Sequence, residues 1–158
     1  MEEVYEQFIG SDKQKTTSNI LKGASIIFLL VALFSLSLSL IYSIFMGIIA
    51  IVLFISSFLS YVDYEYELFQ DTITISKIYN ESRRKIVKSI SRENVKKVYE
   101  SNKERNKKNI KMFYNSNISG LSLYTFELND NTSIELALND KIKRKVVAVY
   151  ASKIARII

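Results

Sequence analysis

Four cations of this 158-residue sequence, Arg83, Arg84, Lys85 and Lys88, gather on and after the turn signal Asn80-Glu-Ser-Arg-Arg84. Side chains of that type and spacing contact anionic lipid headgroups, each contributing about 1 kcal/mol beside a negatively charged leaflet, or else form a solvated turn. Asp63, Glu65 and Glu67 bring three hard oxygen ligands of the kind calcium or magnesium takes. Strand spacing sets them along a line rather than around a point, and no carbonyl-rich turn completes a shell, so no metal is expected. Two further basic sets are Lys103, Arg105, Lys107, Lys108 and Lys111 in a polar stretch, and Lys141, Lys143, Arg144 and Lys145 at the start of a terminal helix. Cations at a helix N-terminus oppose its dipole, which sets the last group apart from an ordinary charged face, with solubility and nucleic-acid contact as its alternatives. A nucleic-acid reader interleaves exposed aromatics with such charges; the tyrosines here fall in strand patterns, so no nucleic-acid partner is expected.

Other chemistry is removed by composition. There is no cysteine and no histidine, hence no disulfide, thiolate nucleophile, imidazole base or Cys/His metal site. With only Gly10, Gly23, Gly47 and Gly120, neither dinucleotide nor phosphate-loop glycine patterns can be written. No cofactor and no catalytic residue follow, and the expectation is a non-enzyme. The N-x-[ST] matches at Asn80, Asn117 and Asn131 read as turns.

The elements that must position these residues begin with Gly23 to Val62, forty positions without a charge between Lys22 and Asp63, in a chain that is 24% charged overall. A hydrocarbon core of about 30 Å takes about 20 helical residues at about 1.5 Å each, so one helix of this length overshoots roughly twofold. Two spans fit, near Ala24 to Tyr42 and Met46 to Val62, with a reversal around Ser43 to Gly47. Ser35, Ser37 and Ser39 spread around the helix and suit close packing. No ionisable residue lies inside the run, which argues against a channel or transporter. The run is too long and too late for a cleaved signal peptide. Lys13, Lys15 and Lys22 precede it, and residues 63–158 carry nineteen Lys+Arg against twelve Asp+Glu, a net of +7. The positive-inside tendency places both the 1–22 segment and the 63–158 domain in the cytoplasm, with 23–62 as a two-helix transmembrane hairpin in the cell membrane.

Beyond the membrane run, Asp63 to Phe69 alternates Tyr64, Tyr66 and Leu68 with Glu65 and Glu67, a strand period. Further strands are expected at Thr72–Tyr79, Lys85–Ile90, Val95–Glu100, Ile110–Tyr114, Leu121–Leu128 and Thr132–Leu138. Ser101 to Asn109 and Asn115 to Gly120 read as loops. Asn139 caps a closing helix that turns Ile142, Val146, Val149, Tyr150 and Ile154 to one side. Val4, Tyr5, Phe8 and Ile9 fall on one face of a short N-terminal helix. The expected class is α+β: the hairpin, then a small β-barrel of about seven antiparallel strands capped by a C-terminal helix.

The start Met1-Glu-Glu-Val-Tyr-Glu-Gln-Phe-Ile9, the strand Tyr64-Glu-Tyr-Glu-Leu68, the Ile78 to Lys85 turn with Arg83-Arg84-Lys85, and the closing strand and helix carry a resemblance. The chain resembles small Gram-positive bacterial membrane proteins in which a two-helix anchor leads into a pleckstrin-homology-like (PH-like) domain. That resemblance implies the fold and a scaffolding or interaction role at the membrane. Lipid bilayer, anionic headgroups and other membrane proteins are the partners in view. A lipid sensor and an accessory subunit of a larger membrane complex are the alternatives.

Overall fold

A computed structural model describes residues 4–101, 110–115 and 118–154, and the chain divides into two compact units. The helical unit comprises residues 11–62 with 79–83; the sheet unit holds 1–10, 63–78 and 84–158.

In the helical unit, α1 (Asp12–Ser35) starts where Ser11 accepts a hydrogen bond from the Gln14 N–H at 3.3 Å, with Asp12 in the first turn. It runs antiparallel to α2 (Leu40–Ser60). Both are long and apolar enough to cross a membrane. Their contact is built from small residues seven apart: Ser18, Ser25 and Ala32 are buried on α1, and Ser43, Ala50 and Ser57 on α2. Ser18 Oγ donates to the Ser57 carbonyl at 2.8 Å, and Ser43 Oγ donates to the Ala32 carbonyl at 2.6 Å. Seven-residue spacing keeps one stripe facing the partner, and small side chains allow the backbones to approach closely. The large apolar residues, among them Ile27, Phe34, Ile41 and Ile48, are turned outward and exposed.

That seam corrects the expected turn. The reversal falls after Ser35, whose carbonyl accepts from the Leu38 and Ser39 N–H groups at 3.0 and 2.9 Å. Ser43 and Gly47 lie within α2, because Ser43 is needed opposite Ala32. The first helix also begins at Asp12 rather than near Ala24, carrying its polar first turns before the uncharged run.

The sheet unit opens with β1 (Val4–Ile9), which corrects the expected N-terminal helix. Val4, Glu6 and Phe8 point to one side and Tyr5, Gln7 and Ile9 to the other, and the strand pairs antiparallel with β2 (Val62–Phe69), Val4 opposite Phe69 and Ile9 opposite Tyr64. Six residues make under two helical turns, whereas the open edge of β2 offers a full ladder of hydrogen bonds. With β3 (Thr72–Tyr79) and β4 (Arg83–Ser91) the first sheet has the order β1-β2-β3-β4.

The second sheet contains β5 (Val95–Glu100), β6 (Ile110–Met112), β7 (Ser122–Leu128) and β8 (Ser133–Leu138) in the order β5-β7-β8-β6. β6 pairs parallel to β8, at the far edge from β5. The described architecture is therefore eight strands in two open sheets rather than one closed antiparallel barrel, with seven of the strands where alternation places them. α3 (Asp140–Val149) follows, its N-cap Asn139 accepting from the Ile142 N–H at 2.9 Å. Ile142, Val146 and Tyr150 are buried in a core shared with Tyr66, Ile75 and Phe126, and the Phe126 and Tyr150 rings meet edge to face at 5.7 Å.

Three buried polar side chains tie these layers. Gln7 Nε2 donates to the Ala137 carbonyl and its Oε1 accepts from the Asn139 N–H, both at 2.9 Å. Tyr66 Oη donates to the Phe113 carbonyl and accepts from the Ala137 N–H at 3.4 Å. Tyr150 Oη reaches the Asp71 and Ile90 carbonyls at 2.9 and 3.1 Å. Burial pushes both phenols well above the ordinary tyrosine range. Since buried groups robbed of a partner cost about 1–3 kcal/mol, Gln7→Leu is expected to lower the thermal midpoint of the purified chain by several degrees, read by circular dichroism in detergent; an unchanged midpoint contradicts the assigned bonds.

Candidate functional site

The turn between β3 and β4 is the most constrained surface feature of the helical unit. Asn80 and Glu81 both adopt positive φ, 49° and 61°, a region that asparagine tolerates and glutamate enters at a cost. Their partners hold them there. Lys15 of α1 bonds Glu81 at 2.5 Å, Tyr61 Oη donates to the same carboxylate oxygen at 3.0 Å, and Lys22 donates to Asn80 Oδ1 at 2.7 Å. The Asn80 N–H also donates to the Tyr61 carbonyl at 3.1 Å. Lys15 and Lys22, seven apart, share one face of α1, which is why both reach the turn. Lys22 also lies over the Phe58 ring at 5.4 Å. In the sequence these lysines read only as positive flanks of the uncharged run; their spacing, and an acidic residue in the later turn, are the signals of this pairing.

The four cations expected to act together do not converge. Over the first half of β4, alternation sets Arg84 and Ile86 on one face and Arg83, Lys85 and Val87 on the other; Val87 and Ile90 both pack against the core, so the alternation breaks between them, at Lys88. Arg84 forms an ion pair with Glu65, and that hydrogen bond, reinforced by the charges of Glu65, Glu67 and Glu6, raises its already high pKa. Lys88 lines a cleft of about 280 Å³ with Asn94, Asn129 and Asp130. The Asp130 carboxyl is held below the usual carboxylate range by Thr132, whose hydroxyl and N–H both donate to it, and more weakly by the Lys88 charge. Arg83 and Lys85 stay exposed.

The other expected sets are also redistributed. Lys143 bonds Ser122 Oγ at 3.0 Å and lies 3.8 Å from Glu100, while Lys141 and Lys145 lie over the Tyr5 ring at 5.4 and 4.7 Å. Lys111 is exposed on β6; Lys103, Arg105, Lys107 and Lys108 lie outside the described residues. Asp63 is buried while Glu65 takes Arg84, and among the described residues no three carboxylates gather as metal ligands. A buried polar group that the sequence analysis did not single out sits on the second sheet: Glu135 accepts from Tyr114 Oη and, at 3.4 Å, from Thr125 Oγ1. Burial first, then this bond and charge, push the Tyr114 phenol well above its ordinary range.

Two apolar helices, two open sheets and a closing helix make an α+β protein. The family described as Bacterial PH-like domain (DUF6106) matches residues 1–156, and the chain belongs to it. No curated protein matches the chain, and no solved structure does.

The turn clamp has a pH signature. Hydrogen bonds from Lys15, then Tyr61, hold the Glu81 carboxyl below its ordinary value. A depressed carboxyl stabilises the clamp above the ordinary glutamate range, and the contribution is lost as pH falls through the lowered folded-state pKa. Titration of Glu81 by NMR is expected to show this depression, and Lys15→Met is expected to move it back up; an unaltered titration removes the clamp.

Proposed function

We propose that the chain is a non-enzymatic interaction module held in the bacterial cell membrane by the α1–α2 hairpin, with both chain ends in the cytoplasm. The carrying observation is the inverted packing of the hairpin: small and hydroxylated residues meet inside while isoleucine, leucine and phenylalanine face outward. Water disfavours that surface, whereas a hydrocarbon phase solvates it and still requires every backbone group to be bonded within the helices. Lys13, Lys15 and Lys22 stand at the end of the hairpin opposite the Leu36–Ser39 turn, and that turn has no charge. The positive-inside tendency then supports a cytoplasmic sheet unit. Membership in a PH-like family supports recognition of a partner as the work done there.

A lipid-contact reading has one specific support. Arg83 remains exposed and belongs to the helical unit with Lys15 and Lys22, where an anionic headgroup would meet it. Retention of anionic lipid by the purified chain in native mass spectrometry, reduced by Arg83→Gln, would favour that reading over protein assembly.

Because the sequence contains no cysteine, single cysteines report topology cleanly. Ser37→Cys in the turn is expected to react with an impermeant maleimide on intact cells, and Lys96→Cys on β5 only after permeabilisation. Labelling of both on intact cells, or release of the chain from membranes by alkaline carbonate, would overturn the reading.

A further inference from the structure

Outside the α1–α2 hairpin and its turn, the described residues include six exposed large aliphatic or phenylalanine side chains: Val4, Phe8, Phe69, Ile86, Met112 and Val147. The first four, exposed by 46, 59, 39 and 64%, share the outer face of the first sheet. Register fixes this on β1 and β2, where Val4 stands opposite Phe69 and Phe8 opposite Glu65, while Tyr5, Ile9, Tyr66 and Leu68 turn to the core. On β4, exposed Ile86 lies two residues from Arg84, which pairs with Glu65 of that outer face, and next to Val87, which packs on the core side. Exposed apolar groups gathered on one face mark interaction surfaces, whereas scattered ones do not.

The charge between them selects the occupant. Glu6 stands directly opposite Glu67 in the ladder, a like-charge placement that weakens strand pairing. With Glu65, three carboxylates act on the Arg84 guanidinium, and these four side chains sum to −2 on a chain of net charge +6. An anionic leaflet is repelled by such a face, and so is the same face of a second copy. A cationic protein segment carrying spaced apolar residues complements it on both counts.

We propose that the outer face of the first sheet docks a basic, apolar-studded segment of a partner protein, with Phe8 and Ile86 as anchors and the Glu6–Glu67 pair reading its positive charge. Granting the membrane placement proposed above, the cytoplasmic Lys/Arg-rich flanks of other membrane proteins supply segments of this chemistry.

The test measures binding of a fluorescent synthetic peptide of alternating lysine and leucine to the full chain in neutral detergent micelles, with empty micelles subtracted. Expected is saturable binding that weakens with salt and falls roughly tenfold in Phe8→Ser and in Glu6→Gln/Glu67→Gln, with Lys96→Gln unchanged. The double glutamine variant is also expected to be at least as thermally stable as the parent, since it relieves the like-charge pair, so its lost binding is not lost folding. Equal affinity of parent and double variant, or no binding above empty micelles, overturns the proposal. Disulfide-linked dimers of Ile86→Cys overturn it in favour of a second copy. Micelles hold the chain whatever its topology, so failure here is separate from failure of the membrane reading.

Discussion

An uncharged stretch of forty residues sets the terms for the helical unit. The bilayer proposed for it offers no partner to a backbone N–H or carbonyl, so helix is the conformation available there and the reversal must be short. In such a medium the hydrophobic effect does not press helices together; close packing and interhelical hydrogen bonds do. Ser18 to Ser57 and Ser43 to Ala32 provide those bonds at the two ends of the seam, and small residues at seven-residue steps keep the backbones close between them. Once that register is set, the four-residue turn at 36–39 follows, and Lys15, Lys22 and Tyr61 arrive at the same end of the unit, where Asn80 and Glu81 meet them.

The sheet unit solves a different problem. Two open sheets leave edge and corner carbonyls that cannot all be met by ladder bonds, and buried side chains meet them instead. Tyr66 and Tyr150 each bridge backbone groups from separate strands or turns, and Gln7 of β1 holds two groups at the end of β8, at positions where an aliphatic residue of similar size would leave a donor or acceptor bare. Their hydrogen bonds add orientation to a core otherwise made mostly of isoleucine, leucine and valine. Against this economy the Glu6–Glu67 pair stands out, because it works against the strand pairing it belongs to.

Most strand positions were legible because their signal is local. Alternation and turn residues located β2 to β5, β7 and β8 closely, and Asn139 marked the start of α3. β1 was not legible because six residues satisfy a helical and a strand period about equally, and its partner β2 lies beyond the whole hairpin. The parallel pairing of β6 likewise depends on a distant strand. The hairpin turn was misplaced because Ser43 and Gly47 have turn composition, although the seven-residue recurrence of small residues on both helices was there to be read. Of the candidate site, the basic cluster was visible as a run in sequence but not as a divided set, since strand alternation separates neighbours that are adjacent along the chain.

The closed seam between α1 and α2 is the claim on which the placement of the chain rests. Its most direct measurement is oxidation of the Ser18→Cys/Ser57→Cys variant in native membranes, read as mobility on denaturing gels. Rapid formation of an intramolecular disulfide, absent when Ser57→Cys is replaced by Ile55→Cys on the outward face, is the predicted result. Failure to cross-link within one chain, or equal cross-linking at the outward position, would contradict it.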